Sequence, residues 1–379
     1  MGTAMQPRHP AVAVISINAI WNFLNFRQGL IRALQSDGYR VVALAPDDTH
    51  RSQLEALGVE FHAIAIDSKG LSPVADLRLL ARYRTLLTRL RPTILLGYTI
   101  KPNIYGSLAA ASLGIPVINN VSGLGTAFVR GGWLMRFVSL LYRIGLTRSA
   151  TVFFQNDEDR ALFVDRRLVR PDQTEVLPGS GIDTRRFQSV PAQPKDSATF
   201  LLVARLLRDK GVGEFVAAAR AVRDEFPAAR FQLLGFLDVV NATAIPRSEV
   251  EAWVAKGVIE YLGDTDDVRP FIAAADCIVL PSYREGLPRS LLEAGAMARP
   301  SIASDVPGCR TIVRDGVNGL LCAPRSAVSL AETMKRFLAL SSDERIAMGE
   351  RARAIVTAEY DERVVVEQIM AAVERAVCR

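Results

Sequence analysis

Short apolar runs alternate with longer amphipathic stretches along almost the whole chain. VAVISI (12–17), VVALA (41–45), ILLGY (94–98), PVINN (116–120) and TVFFQ (151–155) are bounded by Gly, Pro or Asp, with patterns of helical period between most of them. Such runs predict strands buried on both faces, and hence a parallel sheet with helices on either side. The alternation stops at SVPAQPKDS (189–197), a polar segment with two prolines. It restarts with TFLLVARL (199–206), RFQLLGF (230–236), VIEYLG (258–263), CIVLPS (277–282) and PSIAS (300–304). The polar segment reads as an interdomain linker, dividing the chain into 1–188 and 189–361. The expected fold class is α/β, with two Rossmann-like doubly wound domains facing a cleft. The residues just after each strand are then the ones placed to do chemistry.

Composition narrows the classes. At 379 residues, 49% hydrophobic and 23% charged, the chain is ordinary globular protein rather than disordered, collagenous or coiled-coil. No run of about 20 apolar residues predicts a spanning helix. The first residues lack a secretory pattern, so the cytoplasm is the expected compartment. Cys277, Cys309, Cys322 and Cys378 show no CxxC spacing and read as reduced thiols. Charge is unevenly spread: net +8 over residues 1–188 and −2 over 189–379. No acid occurs between Leu77 and Asn156, where ten Lys or Arg fall. An anionic partner of this half is expected, whether membrane, phosphorylated substrate or nucleic acid, unless the arginines only keep the surface soluble.

In the second half, Arg205 ends the first strand and Lys210-Gly211 opens the following helix. Two cations beside a helix N-terminus suit a diphosphate, although a solvated loop with a capping glycine gives the same pattern. The stronger signal is PSYREGLPRSLLEAGAMARP (281–300): Glu285-Gly286-Leu287-Pro288 leaves a strand, and Glu293 lies one turn into the next helix. Gly286 allows close backbone approach, Pro288 suits a helix start, and free N–H groups there can hold an anion or a sugar oxygen. Asp264-Thr265-Asp266 spells a metal-binding triplet but stands between a strand and a helix starting near Val268, so we read it as helix capping and expect no metal. The three GxG triplets do not complete GxGxxG after a strand, and a nicotinamide cofactor is not expected.

VARLLRDKG (203–211) paired with EGLPRSLLEAGAMARP (285–300) resembles the donor domain of retaining GT-B glycosyltransferases of family four. YLGDTDDV (261–268), DCIVLPS (276–282) and DVPGCRTIVRDGVNGLL (305–321) extend the likeness. The resemblance implies that Arg205 and Lys210 hold a donor diphosphate, that Glu285 contacts the donor sugar and Glu293 the ribose, and that Leu287 and Pro288 lie in the loop meeting the diphosphate. It also implies a C-terminal helix, 362–379, that crosses back to the first domain.

The first strand runs into SINAIWNFLNFRQGLIRAL (16–34), which puts Asn18 and Asn22 within reach of the donor. GYTIKPNIYGSLAAASLGIPVINNVSGLGTAF (97–128) places Lys101, Asn103, Ser122 and Gly123 just after two successive strands. With FFQNDED (153–159) and LPGSGIDTRRF (177–187), these stretches resemble a narrower group that extends glycans on polyprenyl diphosphate. Those four residues are then the candidate acceptor-binding set. Many members carry a histidine where this chain has Ser122-Gly123, and its only histidines are His9, His50 and His62. A histidine base is not expected; the departing phosphate oxygen can take the acceptor proton, and Glu285 as covalent nucleophile is the lesser possibility.

Within GGWLMRFVSLLYRIGLTRS (131–149), Trp133, Leu134, Phe137, Leu140, Leu141 and Ile144 share one helical face, with Arg136 and Arg143 at its edge. Such a helix can lie in an anionic bilayer interface, or be core-packed with snorkelling arginines. The expectation is a retaining glycosyltransferase on the inner face of the cell membrane. It would move a hexose or N-acetylhexosamine from a UDP-sugar to an undecaprenyl-diphosphate-linked saccharide, without cofactor, metal or nucleic acid. A GT-B sugar-nucleotide epimerase and a non-enzymatic sugar-nucleotide sensor at the membrane are the alternatives.

Overall fold

The computed structural model describes residues 11–67, 72–122, 132–191, 197–238, 241 and 243–378. The chain divides into two compact units, residues 1–180 with 363–379, and residues 181–362.

The first unit holds an all-parallel sheet of order β3-β2-β1-β4-β5-β6-β7. Its strands are β1 Val12–Ser16, β2 Arg40–Ala45, β3 Glu60–Ala63, β4 Ile94–Tyr98, β5 Val117–Val121, β6 Thr151–Phe154 and β7 Thr174–Val176. Central strands such as VAVIS are buried at every position because helices cover both faces. On one face lies the helix Pro73–Leu90, which starts at a capping Ser72 followed by proline, with Leu79, Tyr83 and Leu87 turned inward. On the same face, the Gly132–Leu146 helix buries Val138, Tyr142 and Leu146. On the other face, Ile20, Phe23 and Leu34 pack with Val365, Ile369 and Val373 of the C-terminal helix Glu362–Val377.

The second unit repeats the plan with order β10-β9-β8-β11-β12-β13. The strands are β8 Thr199–Val203, β9 Arg230–Leu234, β10 Glu260–Tyr261, β11 Cys277–Leu280, β12 Ser301–Ser304 and β13 Gly319–Cys322. Its boundary falls at 180/181, ahead of the proline-containing segment. Residues after Ser180 already belong to the second core: Ile182 pairs with Asp361, Thr184 donates to the Asp361 carboxylate at 2.5 Å, and Phe187 is buried among second-unit side chains. Among the described residues, no helix is long and apolar enough to cross a membrane.

Candidate functional site

In each sheet the strand order reverses beside the first strand, between β1 and β4 and between β8 and β11. Loops leaving the carboxyl ends of such a pair diverge, and a crevice opens there.

In the second unit the chain leaves β8, makes a tight turn at Arg208–Lys210 and enters the helix Val212–Arg223 through Gly211, whose φ is 74°. A Cβ on Gly211 would lie 2.1 Å from the Pro281 carbonyl oxygen, so no other residue lets the turn and the β11 loop approach so closely. Hydrogen bonds tie the two together. The Asp209 carbonyl accepts from the Tyr283 N–H at 2.9 Å and the Ser282 hydroxyl at 3.1 Å, and the Asp209 carboxylate accepts from Thr243 at 2.8 Å. The Tyr283 hydroxyl donates to Glu214 at 2.6 Å, and burial beside that carboxylate pushes the phenol up to about 12.

This frame brings Lys210 against Glu285, whose Oε1 accepts from the ammonium. The side chains are only 20% and 12% exposed, so the pair is a largely desolvated charge couple rather than a surface salt bridge. The ammonium has two further donors for an anion. Arg205, by contrast, is exposed and makes no side-chain hydrogen bond or ion pair among the described residues. Gly286 lies against Gly308, where a Cβ would come within 2.2 Å of the Gly286 carbonyl oxygen. Leu287 packs on the unit's core, and Pro288 caps the helix Arg289–Ala296 from just outside its first turn. Glu293, on that helix, is buried and accepts from Arg289 Nε at 2.8 Å. Desolvation pushes its carboxyl above the usual range, although Arg289 pulls the other way.

The helix Arg269–Ala274 has Val268 at its N-cap without a side-chain cap bond, and its first amide is met instead by Asp267, one place beyond the Asp264-Thr265-Asp266 triplet. Its carboxylate accepts from the Arg269 backbone at 3.1 Å and from the guanidinium at 2.7 Å, which lowers its pKa. Asp264 and Asp266 are exposed, and within the triplet it is the Thr265 hydroxyl that accepts a backbone bond, from the Asp267 N–H at 3.0 Å in the loop rather than from the helix. Among the described residues, no three His, Cys, Asp or Glu side chains are grouped to hold a metal ion.

In the first unit, a cavity of about 320 Å³ opens at the ends of β1 and β4, lined by Asn18, Thr99, Lys101, Asn103 and Ser122 among others. Lys101 donates to Asp76 at 2.7 Å, and both side chains are nearly buried. Asp76, the last acid before the acid-free stretch, thus cancels that charge. Asn103 is fully buried, donating to the Asn120 carbonyl at 2.9 Å and accepting from Asn119 at 3.0 Å, so its amide serves the framework. Ser122 donates to Asn120 at 3.1 Å, and Asn22 donates to Asn18 at 3.1 Å. Gly123 lies outside the described residues. Thr99, which sequence inspection does not single out, is a β-branched residue at φ 66°, a strained conformation that clusters at functional sites.

The Gly132–Leu146 helix divides the apolar residues expected on one face. Phe137, Leu140 and Ile144 are 41–52% exposed, with Arg136 and Arg143 exposed beside them. Leu141 instead packs on the core, because Val138, Tyr142 and Leu146 set the inward stripe. The side chain of Trp133 lies outside those described.

Comparison with known proteins matches each half of the chain. A glycosyl transferase 4-like domain matches residues 26–180, and a domain of glycosyl transferases group 1 matches residues 197–339. The N,N'-diacetylbacillosaminyl-diphospho-undecaprenol alpha-1,3-N-acetylgalactosaminyltransferase of Campylobacter jejuni is 27% identical, over 93% of this chain and 96% of its own. The UDP-Gal:alpha-D-GlcNAc-diphosphoundecaprenol alpha-1,3-galactosyltransferase of Escherichia coli is 25% identical over 67% of this chain and 68% of its own. Among solved structures, a glycosyltransferase from Rickettsia africae superposes with a TM-score of 0.79 at 14% identity, covering 98% of this chain and 99% of that one. Anabaena Alr3699/HepE, in complex with UDP and glucose, superposes with a TM-score of 0.77 at 16% identity, covering 97% and 100%. At these identities the superpositions speak for the fold alone.

Proposed function

Because the chain belongs to the GT-B glycosyltransferases, its first half a glycosyl transferase 4-like domain and its second a group 1 domain, we propose that it extends a saccharide on undecaprenyl diphosphate. The sugar, a hexose or N-acetylhexosamine, comes from a UDP donor and is transferred with retention. The observation that carries the donor side is the Lys210–Glu285 couple at the ends of β8 and β11, one residue before a helix N-terminus. The acceptor side rests on the likeness to the Campylobacter and Escherichia coli enzymes, both of whose names carry a diphospho-undecaprenol saccharide.

In this reading Lys210 and Arg205 meet the charge that develops on the leaving diphosphate, and the helix amides after Gly211 add their partial positive charge. Glu285 holds Lys210 in place and receives a hydroxyl of the donor sugar, while Glu293 receives the ribose. The acceptor hydroxyl attacks C1 on the face the diphosphate leaves. The C1–O bond to the nucleotide breaks as the new glycosidic bond forms, and the proton passes to the departing phosphate oxygen. Two cations and a helix terminus answer the diphosphate charge, and the proposed reaction uses no metal. The test is a screen of UDP-sugars for slow hydrolysis, then transfer to a synthetic polyprenyl-diphosphate saccharide with the anomeric configuration of the product read by NMR. An inverted product overturns the retaining step; no turnover of any UDP-sugar overturns the donor.

A lipid-linked acceptor supports a location at the inner face of the membrane. The exposed Phe137, Leu140 and Ile144 flanked by Arg136 and Arg143 make the Gly132–Leu146 helix the proposed contact. Each arginine near an anionic surface contributes about 1 kcal/mol, and reversal adds comparable repulsion. Arg136→Glu with Arg143→Glu is therefore expected to weaken binding to phosphatidylglycerol vesicles about 100-fold or more in a sedimentation assay. Unchanged binding assigns the helix to the fold alone.

A further inference from the structure

We propose that Arg289 is a positioning residue for the nucleotide-sugar: it clamps one oxygen of Glu293, so that the other is the oxygen left to accept from the donor's ribose hydroxyls. The inference rests on the donor-site reading above and concerns how that site is set rather than where it is.

Arg289 is the first residue of the helix Arg289–Ala296 and Glu293 is one turn later, which places both side chains on one helical face. Nε donates to Oε1 at 2.8 Å, with the side chains 23% and 11% exposed. An i,i+4 pair on open surface would contribute little and fix nothing, but this pair is largely removed from water and its geometry is held. Glu293 Oε2 has no partner among the described residues, yet it is not one of the atoms sealed from solvent without a partner. One carboxylate thus has a bound edge and an open edge. The guanidinium is itself steadied: the Phe187 ring, 3% exposed, lies 6.0 Å from it and 5.8 Å from the guanidinium of Arg186.

The surrounding charges make Arg289 the main counter-ion. Arg186 also favours ionised Glu293, more weakly, and Asp267 opposes it. Arg269 is engaged with Asp267, and Arg353 of the Ser342–Glu359 helix donates to the carbonyls of Ala296 and Phe187. Cys309, on the Pro307–Ile312 helix, is held as a neutral thiol by burial. Burial alone pushes the Glu293 carboxyl toward its neutral form, which is a weaker acceptor for a sugar hydroxyl.

The test measures donor KM, kcat and their pH dependence for Arg289→Met, Arg289→Lys and Glu293→Ala, with melting temperatures alongside. Arg289→Met is expected to raise the donor KM about tenfold or more, a larger change than its fall in kcat. The sign of the pH effect follows from the cation: with Arg289 gone, Glu293 takes up a proton at higher pH, so the acid limb of kcat/KM moves upward. Arg289→Lys should recover part of both. Wild type should discriminate against a 2'-deoxy UDP-sugar, and Arg289→Met should lose much of that preference. If Arg289→Met lowers the melting temperature, Arg289→Gln, which keeps a donor without the charge, is measured instead and should show the same shift of the acid limb. A large KM effect of Glu293→Ala with an unchanged KM and acid limb in the arginine variants overturns this proposal. An unchanged KM in Glu293→Ala overturns the donor-site reading itself.

Discussion

Lys210→Ala is expected to lower kcat/KM for sugar transfer by about 1,000-fold, the scale of removing one preorganised charge from a developing anion. Glu285→Ala should fall in the same range for a different reason: without its carboxylate, Lys210 keeps its charge and loses the partner that aims it. Stability separates the two. Lys210→Ala leaves a carboxylate that is only 12% exposed without its cation, which costs about 1–3 kcal/mol. The double variant removes both charges and should regain most of that stability while remaining inactive. Steady-state kinetics with the best UDP-sugar, paired with urea titration, checks both halves. Near-wild-type turnover in Lys210→Ala removes the diphosphate reading. Arg205→Ala, at an exposed side chain without partners among the described residues, should cost about tenfold at most.

The legibility of the chain follows its burial. The ten strands that sequence patterning names are all present: nine lie inside the sheets, where strands covered on both faces must be continuous apolar runs, and the tenth, β10, is an edge strand of two residues. Among the described residues the three it leaves out, β3 EFHA, β7 TEV and β13 GLLC, are short strands at sheet edges, and in EFHA and TEV polar residues blur the pattern further. The division at 180/181 escapes for a related reason. Composition marks the polar segment, whereas the boundary is set by Ile182, Thr184 and Phe187 joining a core whose other members lie far away in sequence.

At the candidate site, spacing brings out Glu285, Glu293 and Lys210 but says nothing of what holds them. The Lys210–Glu285 couple closes over 75 residues, and the Lys101–Asp76 couple over 25. Arg289 had a local signal, four residues ahead of Glu293, but i,i+4 pairs are common on open helices and only burial makes this one informative. Asn103 shows the reverse: a polar residue just after a strand invites a binding role, yet the interior of the sheet needs its amide to satisfy Asn119 and Asn120.

Gly211 and Gly213 stand two apart at the start of one helix and should respond oppositely to alanine. At Gly211 the left-handed φ of 74° costs an L-residue about 1 kcal/mol, and the Cβ would fall 2.1 Å from the Pro281 carbonyl oxygen. Backbone must move to relieve that contact, and the backbone at hand is the β11 loop, tied to Asp209 through Ser282 and Tyr283. We expect a loss of about 3–5 kcal/mol, near the upper end for a point substitution, and a melting temperature about 10 °C lower for the second unit. At Gly213 an added Cβ meets nothing within 4 Å, and the residue is helical, so alanine should stabilise by about 0.5–1 kcal/mol. Thermal melting of the two variants makes the comparison. Transfer activity measured well below the lower melting temperature then tells whether the fit at Gly211 matters beyond stability. If Gly211→Ala is folded there but turns over at less than about a tenth of the wild-type rate, the close approach of turn and loop is what seats Lys210 against Glu285. A folded variant with full activity means that the couple forms without that approach, and the rigidity assigned to the site is misplaced.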